Sequence, residues 1–261
     1  MKFVRYTTEG GTPQTGMVQG DTIFNLLGDP LNVWEPGDKV ALLKDVQLLA
    51  PCRPGKIIAI AINFSGIEGY SPAMKEPMVF IKSGNCVCDP GQTVYNPFPD
   101  LPWWGEAELG VVIRSTLKNA TLDQVRKAVF GFTIGNDATV DNIEGRDHHL
   151  ARSKCPDLFC PIGPWIDTDF DASDCLIEAV QNGEVIRRAR SSEQIWQWPR
   201  ILVWLSSWIT LDPWDVVLTG NPPDTVGMRF LTDGDTYTAR IEGLGELTNR
   251  FALKRRVPNE R

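Results

Sequence analysis

Apolar runs in this chain are short, and Gly, Pro or Asn closes nearly every one of them. "KIIAIAINF", "PMVFIKSGN", "FGFTIGND", "DVVLTGNP" and "TARIEG" follow this pattern, and "ELGVVI" is a run of the same kind closed by Arg and Ser. Runs of this length, bounded by turn residues and rich in Val and Ile, read as strands. Short β-runs of this kind outnumber the helical stretches. No run approaches the ~20 apolar residues of a membrane helix. Two helices are expected. One follows Thr121, a good N-cap, in "ATLDQVRKAV". The other lies within "SSEQIWQWPRILVWLSSWI", where Ile195, Trp196, Ile201, Leu202, Leu205 and Trp208 recur at helical spacing and Pro199 marks a kink or a first turn. The predicted class is α+β, mainly β, with several strands rolled into a twisted barrel-like sheet.

Residues 1–50 read as a small N-terminal β domain, from "KFVRYTT", "TGMVQGDTIFNL" and "VQLLAP". The main domain, 51–261, opens on "GKIIAIAINF". At 42% hydrophobic content the chain is long enough for a sizeable core. The net charge of −7 is spread along the chain, and the longest basic block is the "KRR" at 254–256. No nucleic-acid partner is therefore expected, whereas a small anionic substrate is compatible with a local basic site. Six Cys occur without paired CxxC spacing, and only two His are present, which argues against a zinc site. "MKFVRYTTEGG" has no apolar signal-peptide core, so a reducing, cytoplasmic setting is expected.

"PWWGEAELGVVIR" holds a harder question. On a strand, Glu106 and Glu108 face the same way, about 7 Å apart. Like charges so placed repel, unless a cation lies between them. A hard divalent ion such as Mg²⁺ takes oxygen ligands at about 2.1 Å and keeps waters that a substrate can replace. Asp137, where "GFTIGND" leaves its strand, is a candidate third carboxylate. By pattern alone, a solvated strand face explains the pair as simply.

The order of motifs narrows the choice. "KIIAIAINF", "EPMVFIKSGNCV", "GEAELGVVI", "GFTIGND", "SKCPDLFCPIGPWI", "LDPWDVVLTGNPP" and "GDTYTARIEGLGELTNRF" follow one another as in the fumarylacetoacetate hydrolase (FAH) family, which the chain resembles over roughly residues 1–255. The resemblance implies an FAH-type mixed β-roll catalytic domain behind the small N-terminal domain, usually as a homodimer. It implies Mg²⁺ or Mn²⁺ held by Glu106, Glu108 and Asp137. It makes Lys154 the lysine that binds and polarises substrate oxygens, where sequence alone would allow a solvated loop cation. The implied substrate is a small 2-oxo or 1,3-dicarbonyl acid, whose enolate a Lewis acid and an ammonium stabilise. The family uses this device for C–C hydrolysis, decarboxylation and isomerisation.

Several positions depart from the family pattern. Hydrolases of the family read NYxxHxxE where this chain reads "NFSGIEGY", which puts Ile67 and Tyr70 in place of the water-activating His and Glu. Asp141 stands where Arg is common, Asn221 where Thr is, Arg187 where Gln is, and Trp214 where Gly is. Asp141, Asn221 and Arg187 are candidate substrate contacts; Arg187 is equally readable as a carboxylate grip or a solvated strand-end charge. His148, His149 and Glu68 are candidate replacement bases, against the plainer reading of surface residues. The favoured expectation is enolate chemistry ending in C–C cleavage (lyase or decarboxylase) or isomerisation. The alternatives are a C–C hydrolase with a non-standard base and a catalytically silent metal-binding protein.

Overall fold

The computed structural model describes residues 1–8 and 10–253, so the basic run at 254–256 lies outside the described residues. The chain begins as a meander. Strands β1 (Lys2–Thr7), β2 (Gln14–Gln19), β3 (Thr22–Gly28) and β4 (Trp34–Leu42) pair antiparallel in order, and β5 (Gln47–Leu49) returns to β1. Sequence reading does not anticipate β4, because Pro36 and Gly37 interrupt it. It lies at the sheet edge, where a missing amide costs no ladder bond.

The apolar run at residue 55 becomes β6 (Lys56–Ala61), with Ile57 to Ile60 fully buried. It stops because Ile62 turns into the left-handed region (φ 54°), an unusual place for a β-branched residue. A loop through residues 62–77 leads to β7 (Met78–Ser83), β8 (Val87–Cys88), β9 (Thr93–Asn96) and β10 (Trp103–Trp104). Next come β11 (Ala107–Ile113), buried along its whole length, α1 (Leu122–Ala128) and β12 (Val129–Asn136). The expected Thr121 cap is present, with Gln124 completing a capping box. After β13 (Thr139–Val140) and the short α2 (Ala151–Lys154) follow β14 (Cys160–Asp167), β15 (Leu176–Gln181), β16 (Glu184–Arg190) and α3 (Trp198–Trp208). Pro199 sits in the first turn of α3, so Ile195 and Trp196 precede the helix instead of lying on it. The chain closes with β17 (Val216–Leu218), β18 (Thr236–Ile241) and β19 (Gly245–Leu253).

The class is mainly β, as expected. One sheet runs β4-β3-β2-β1-β14-β12-β11-β17-β6-β7, with β5 and β8 attached to β1 and β14. It is mixed: β6 and β17 are parallel, while β11, β12 and β14 pair antiparallel. A second sheet, β16-β15-β18-β19-β9, packs across β11, β12 and β14. Val111, Ile134, Ile177, Ala239 and Leu247 fill the space between the two. The boundary read at residue 50 falls between β5 and β6, but hydrogen bonding crosses it, because β1 pairs with β14. Among the described residues, no helix is long and apolar enough to cross a membrane, and the six cysteines are free thiols.

Close sheet contact fixes Gly131. A Cβ there would lie 2.6 Å from the Asp167 carbonyl oxygen and 2.8 Å from an Ile166 methyl. Backbone cannot swing away as a side-chain tip can, so Gly131→Ala is expected to destabilise by about 1–3 kcal/mol, read by denaturant unfolding.

Candidate metal centre and its cavity

The β11–β12 register brings the carboxylates together. Ala107 pairs with Asn136 and Glu108 with Gly135, so Glu106 and Asp137 flank one end of the ladder, where the Asp137 amide donates to the Glu106 carbonyl at 2.9 Å. The Asn136 side chain accepts from the Glu106 amide and keeps the bend open. Carboxylate oxygens of Glu106, Glu108 and Asp137 thereby come within 4.8 Å of one another. Glu108 and Asp137 are buried and Glu106 nearly so.

Two lysines hold this cluster. Lys154, at the end of α2, places Nζ 2.6 Å from Glu106 Oε2 and 2.6 Å from Asp137 Oδ2. Lys82, wholly buried in β7, places Nζ 2.6 Å from Asp137 Oδ1 and also donates to the carbonyls of Ala138 and Phe159. Burial works to raise the Asp137 pKa, but the Lys154 and Lys82 ammoniums outweigh it and hold the carboxyl below its usual range. Burial works to lower the Lys154 pKa, but Asp137 and Glu106 drive it up, so this side chain stays a cation at neutral pH. Trp104 donates to Glu106 Oε1 at 2.8 Å, and the Gly220 amide to Glu108 Oε2 at 2.6 Å.

Glu108 is the unbalanced member. Burial, then the Asp137 and Glu106 charges, push its pKa well above the ordinary carboxylate range. Three carboxylates face two ammoniums, so the centre favours either one retained proton or one further cation. The donor set is all oxygen and hard, which suits Mg²⁺, Mn²⁺ or Ca²⁺ better than a soft metal. These residues therefore fit a divalent ion.

The triad and Lys154 line a cavity of about 270 Å³, below the ~300–1,000 Å³ of drug-sized sites and suited to a small acid. Arg187, Asn221 and Asp141 line it too. Ile60, Ile62, Ile67, Phe80 and Leu150 supply apolar wall. Ile67 thus faces the same cavity as the carboxylates. His148, His149 and Glu68 are exposed and do not line it, and Tyr70 is half-buried outside the lining. A larger groove of about 1,070 Å³ passes Tyr95, Phe98 and Arg152 but contains none of the triad.

Sequence reasoning missed Lys82 and Trp104. Lys82 left a signal: in "MVFIKS" it shares a strand face with Phe80, and a lysine on a buried face needs a partner. Trp104 left none, since its bond to Glu106 depends on the bend at Gly105.

The family model for the fumarylacetoacetate (FAA) hydrolase C-terminal domain matches residues 56–252, and a second model, Rv2993c-like N-terminal, matches residues 1–51. Protein Rv2993c of Mycobacterium tuberculosis is 36% identical over 219 residues, covering 81% of each chain. The mitochondrial oxaloacetate tautomerase FAHD2A of Bos taurus is 30% identical, over 79% of this chain and 69% of its own. The crystal structure of 5-carboxymethyl-2-hydroxymuconate delta-isomerase from Mycobacterium smegmatis superposes with a TM-score of 0.87 at 32% identity, over 97% of this chain and 100% of that one. With its mixed β-roll, its carboxylate triad and three quarters of its length inside the family model, this chain belongs to the fumarylacetoacetate hydrolase family.

Proposed function

We propose that the protein is a Mg²⁺- or Mn²⁺-dependent enzyme that interconverts keto and enol forms of a small 2-oxo or 1,3-dicarbonyl acid, with isomerisation favoured and decarboxylation or lyase chemistry within reach of the same site. The observation that carries this reading is Ile67. A sec-butyl side chain, with no group that can take a proton, lines the cavity of the carboxylates and Lys154, where a hydrolase of the family carries the histidine that activates water. An isomerase and a tautomerase among the relatives support the same direction.

Glu106, Glu108 and Asp137 would hold the ion, which supplies a Lewis acid for the 2-oxo and carboxylate oxygens of the substrate. Lys154 remains protonated and fixed by two carboxylates, so its role is to favour negative charge developing on the substrate oxygen, not to accept a proton. Ile60, Ile62, Ile67 and Phe80 keep water from the reacting carbon, which suits proton relocation over hydrolysis. Asp141 is the lining carboxylate outside the triad; it stands at the open rim of the cavity and moves the proton at carbon. His148, His149 and Glu68 do not line the cavity and have no part in this scheme. The homodimer implied by the family resemblance belongs to the same proposal.

Three outcomes test it. Glu106→Ala is expected to abolish both Mn²⁺ binding by calorimetry and activity on enolisable 2-oxo acids; full activity of that variant with a chelator present would refute the metal dependence. Asp141→Asn is expected to slow deuterium exchange at the substrate carbon by about 10²–10⁴-fold while Mn²⁺ affinity stays unchanged. Glu108→Gln reports the unbalanced charge. The raised pKa means that the metal-free wild type loses stability as pH rises from the ordinary carboxylate range through the folded-state value. The Gln variant is spared that loss. Its melting temperature is expected to exceed wild type at pH 8, by about 2–4 °C per kcal/mol, with the gap closing as pH falls.

A further inference from the structure

Five of the six thiols are buried, and Cys155 is the exception. It lines the groove of about 1,070 Å³, beside Arg152 and Asp157. It directly follows Lys154 at the end of α2, where its amide donates to the Ala151 carbonyl at 2.9 Å. Its sulfur rests on β7, the outer strand of the large sheet. As a thiol it donates to the Ile81 carbonyl at 3.5 Å, and the Ser83 amide points at it. Cys86 ends the turn at residues 84–86 that follows β7, and is wholly buried. Its thiol donates to the Cys155 sulfur, and it also lies 3.9 Å from the Lys154 carbonyl, which belongs to the peptide joining Lys154 to Cys155. The Cys86 thiol, the Ser83 amide and the Lys82 charge outweigh burial and hold the Cys155 pKa below the usual thiol range. Both lysines of the Asp137 clamp are close in sequence to this pair: Lys82 stands four residues before Cys86, and Lys154 one before Cys155.

We propose that Cys86 and Cys155 are a peroxide-sensitive pair whose reversible disulfide draws Lys154 away from the carboxylate triad. The oxidant is a hydroperoxide that enters from the groove. The Cys155 thiolate attacks one peroxide oxygen; the S–O bond forms, the O–O bond breaks, and water or an alcohol leaves with a proton. The Cys86 thiol then gives up its proton and attacks the Cys155 sulfur. The S–S bond forms, the S–O bond breaks, and the oxygen leaves as water. Two thiols are oxidised by two electrons in all, and one peroxide is reduced. A disulfide holds its sulfurs about 2.05 Å apart, closer than hydrogen-bonded thiols. Cys86 is packed with Ile57, Ala59 and Phe80 and has no room to shift. The end of α2 has more freedom: the helix is four residues long, and Leu150 before it is in the left-handed region (φ 55°). The α2 end therefore makes the move and carries the Lys154 ammonium off Glu106 and Asp137. Cys88 and Cys160 sit on paired strands β8 and β14, but both are wholly buried, so no oxidant reaches them.

The test is mass spectrometry of the full chain after treatment with hydrogen peroxide. Wild type is expected to lose two thiols and about 2 Da, with the peptides of Cys86 and Cys155 joined, and dithiothreitol reverses this. Cys86→Ala stops at a sulfenic acid on Cys155, about 16 Da heavier and trapped by dimedone. Cys155→Ala forms no disulfide under the same conditions. Lysine labelling with acetic anhydride reads the second half of the proposal. Lys154 labelling is expected to rise about threefold or more on oxidation and to fall again with dithiothreitol, while the wholly buried Lys82 stays unlabelled. Should Cys86→Ala fail to fold, the wild-type product and Cys155→Ala still decide. First oxidation at another cysteine, or Cys155 passing to a sulfinic acid in wild type without joining Cys86, overturns the pair. A disulfide that forms with Lys154 labelling unchanged overturns the displacement of Lys154.

Discussion

Asp137 sits wholly buried between two ammoniums, and the organisation of the site follows from that clamp. Burying a single carboxylate in this sheet interior would be very costly, and burying either lysine unpaired would be as bad. Together the groups satisfy each other, and each comes from a different part of the chain. Asp137 leaves β12, Lys82 faces inward from β7, and Lys154 ends α2. The clamp therefore ties a central strand end to one edge of the large sheet and to the segment before β14. Lys154 reaches Glu106 as well, so the same contact sets the separation of the carboxylates.

This arrangement places most of the charge compensation within the protein itself. Two lysine charges offset most of the triad, and burial and its neighbours favour the protonated form of Glu108, so the charge left uncompensated at the centre is small. In a structural zinc site, by contrast, the compensating charge is the metal, and removing it removes the fold. On the proposed function, Glu106, Glu108 and Asp137 would hold the ion in a cavity that the clamp already shapes, and the charge imbalance at Glu108 would favour it.

Much of this was legible in the order of residues. The period-two placement of Glu106 and Glu108, the Asp137 at a strand end and the Thr121 cap are local patterns, and local patterns survive in one dimension. What sequence could not display is register. That Asn136 opens the bend for Glu106, that Gly220 caps Glu108, and that Arg187 shares a cavity with Asn221 all depend on which strands are neighbours across tens of residues. The start of α3 illustrates a smaller lesson: Ile195 and Trp196 fit the helical spacing, but Pro199 at the first turn outranks periodicity. Strand β4 shows the reverse, since Pro36 hides a strand that edge placement permits.

The continuity of the sheet across residue 50 has its own consequence. Strand β1 covers one side of β14 along Asp167 and Ile166, and β12 covers the other. If residues 1–49 were stripped away, that side of β14 would present bare amides and carbonyls, together with the apolar surface that Phe3 now shields. Unpaired backbone at a sheet edge is a site where another strand can add. The N-terminal meander thus covers a short stretch of β14 edge and the apolar surface beside it, which would otherwise lie open.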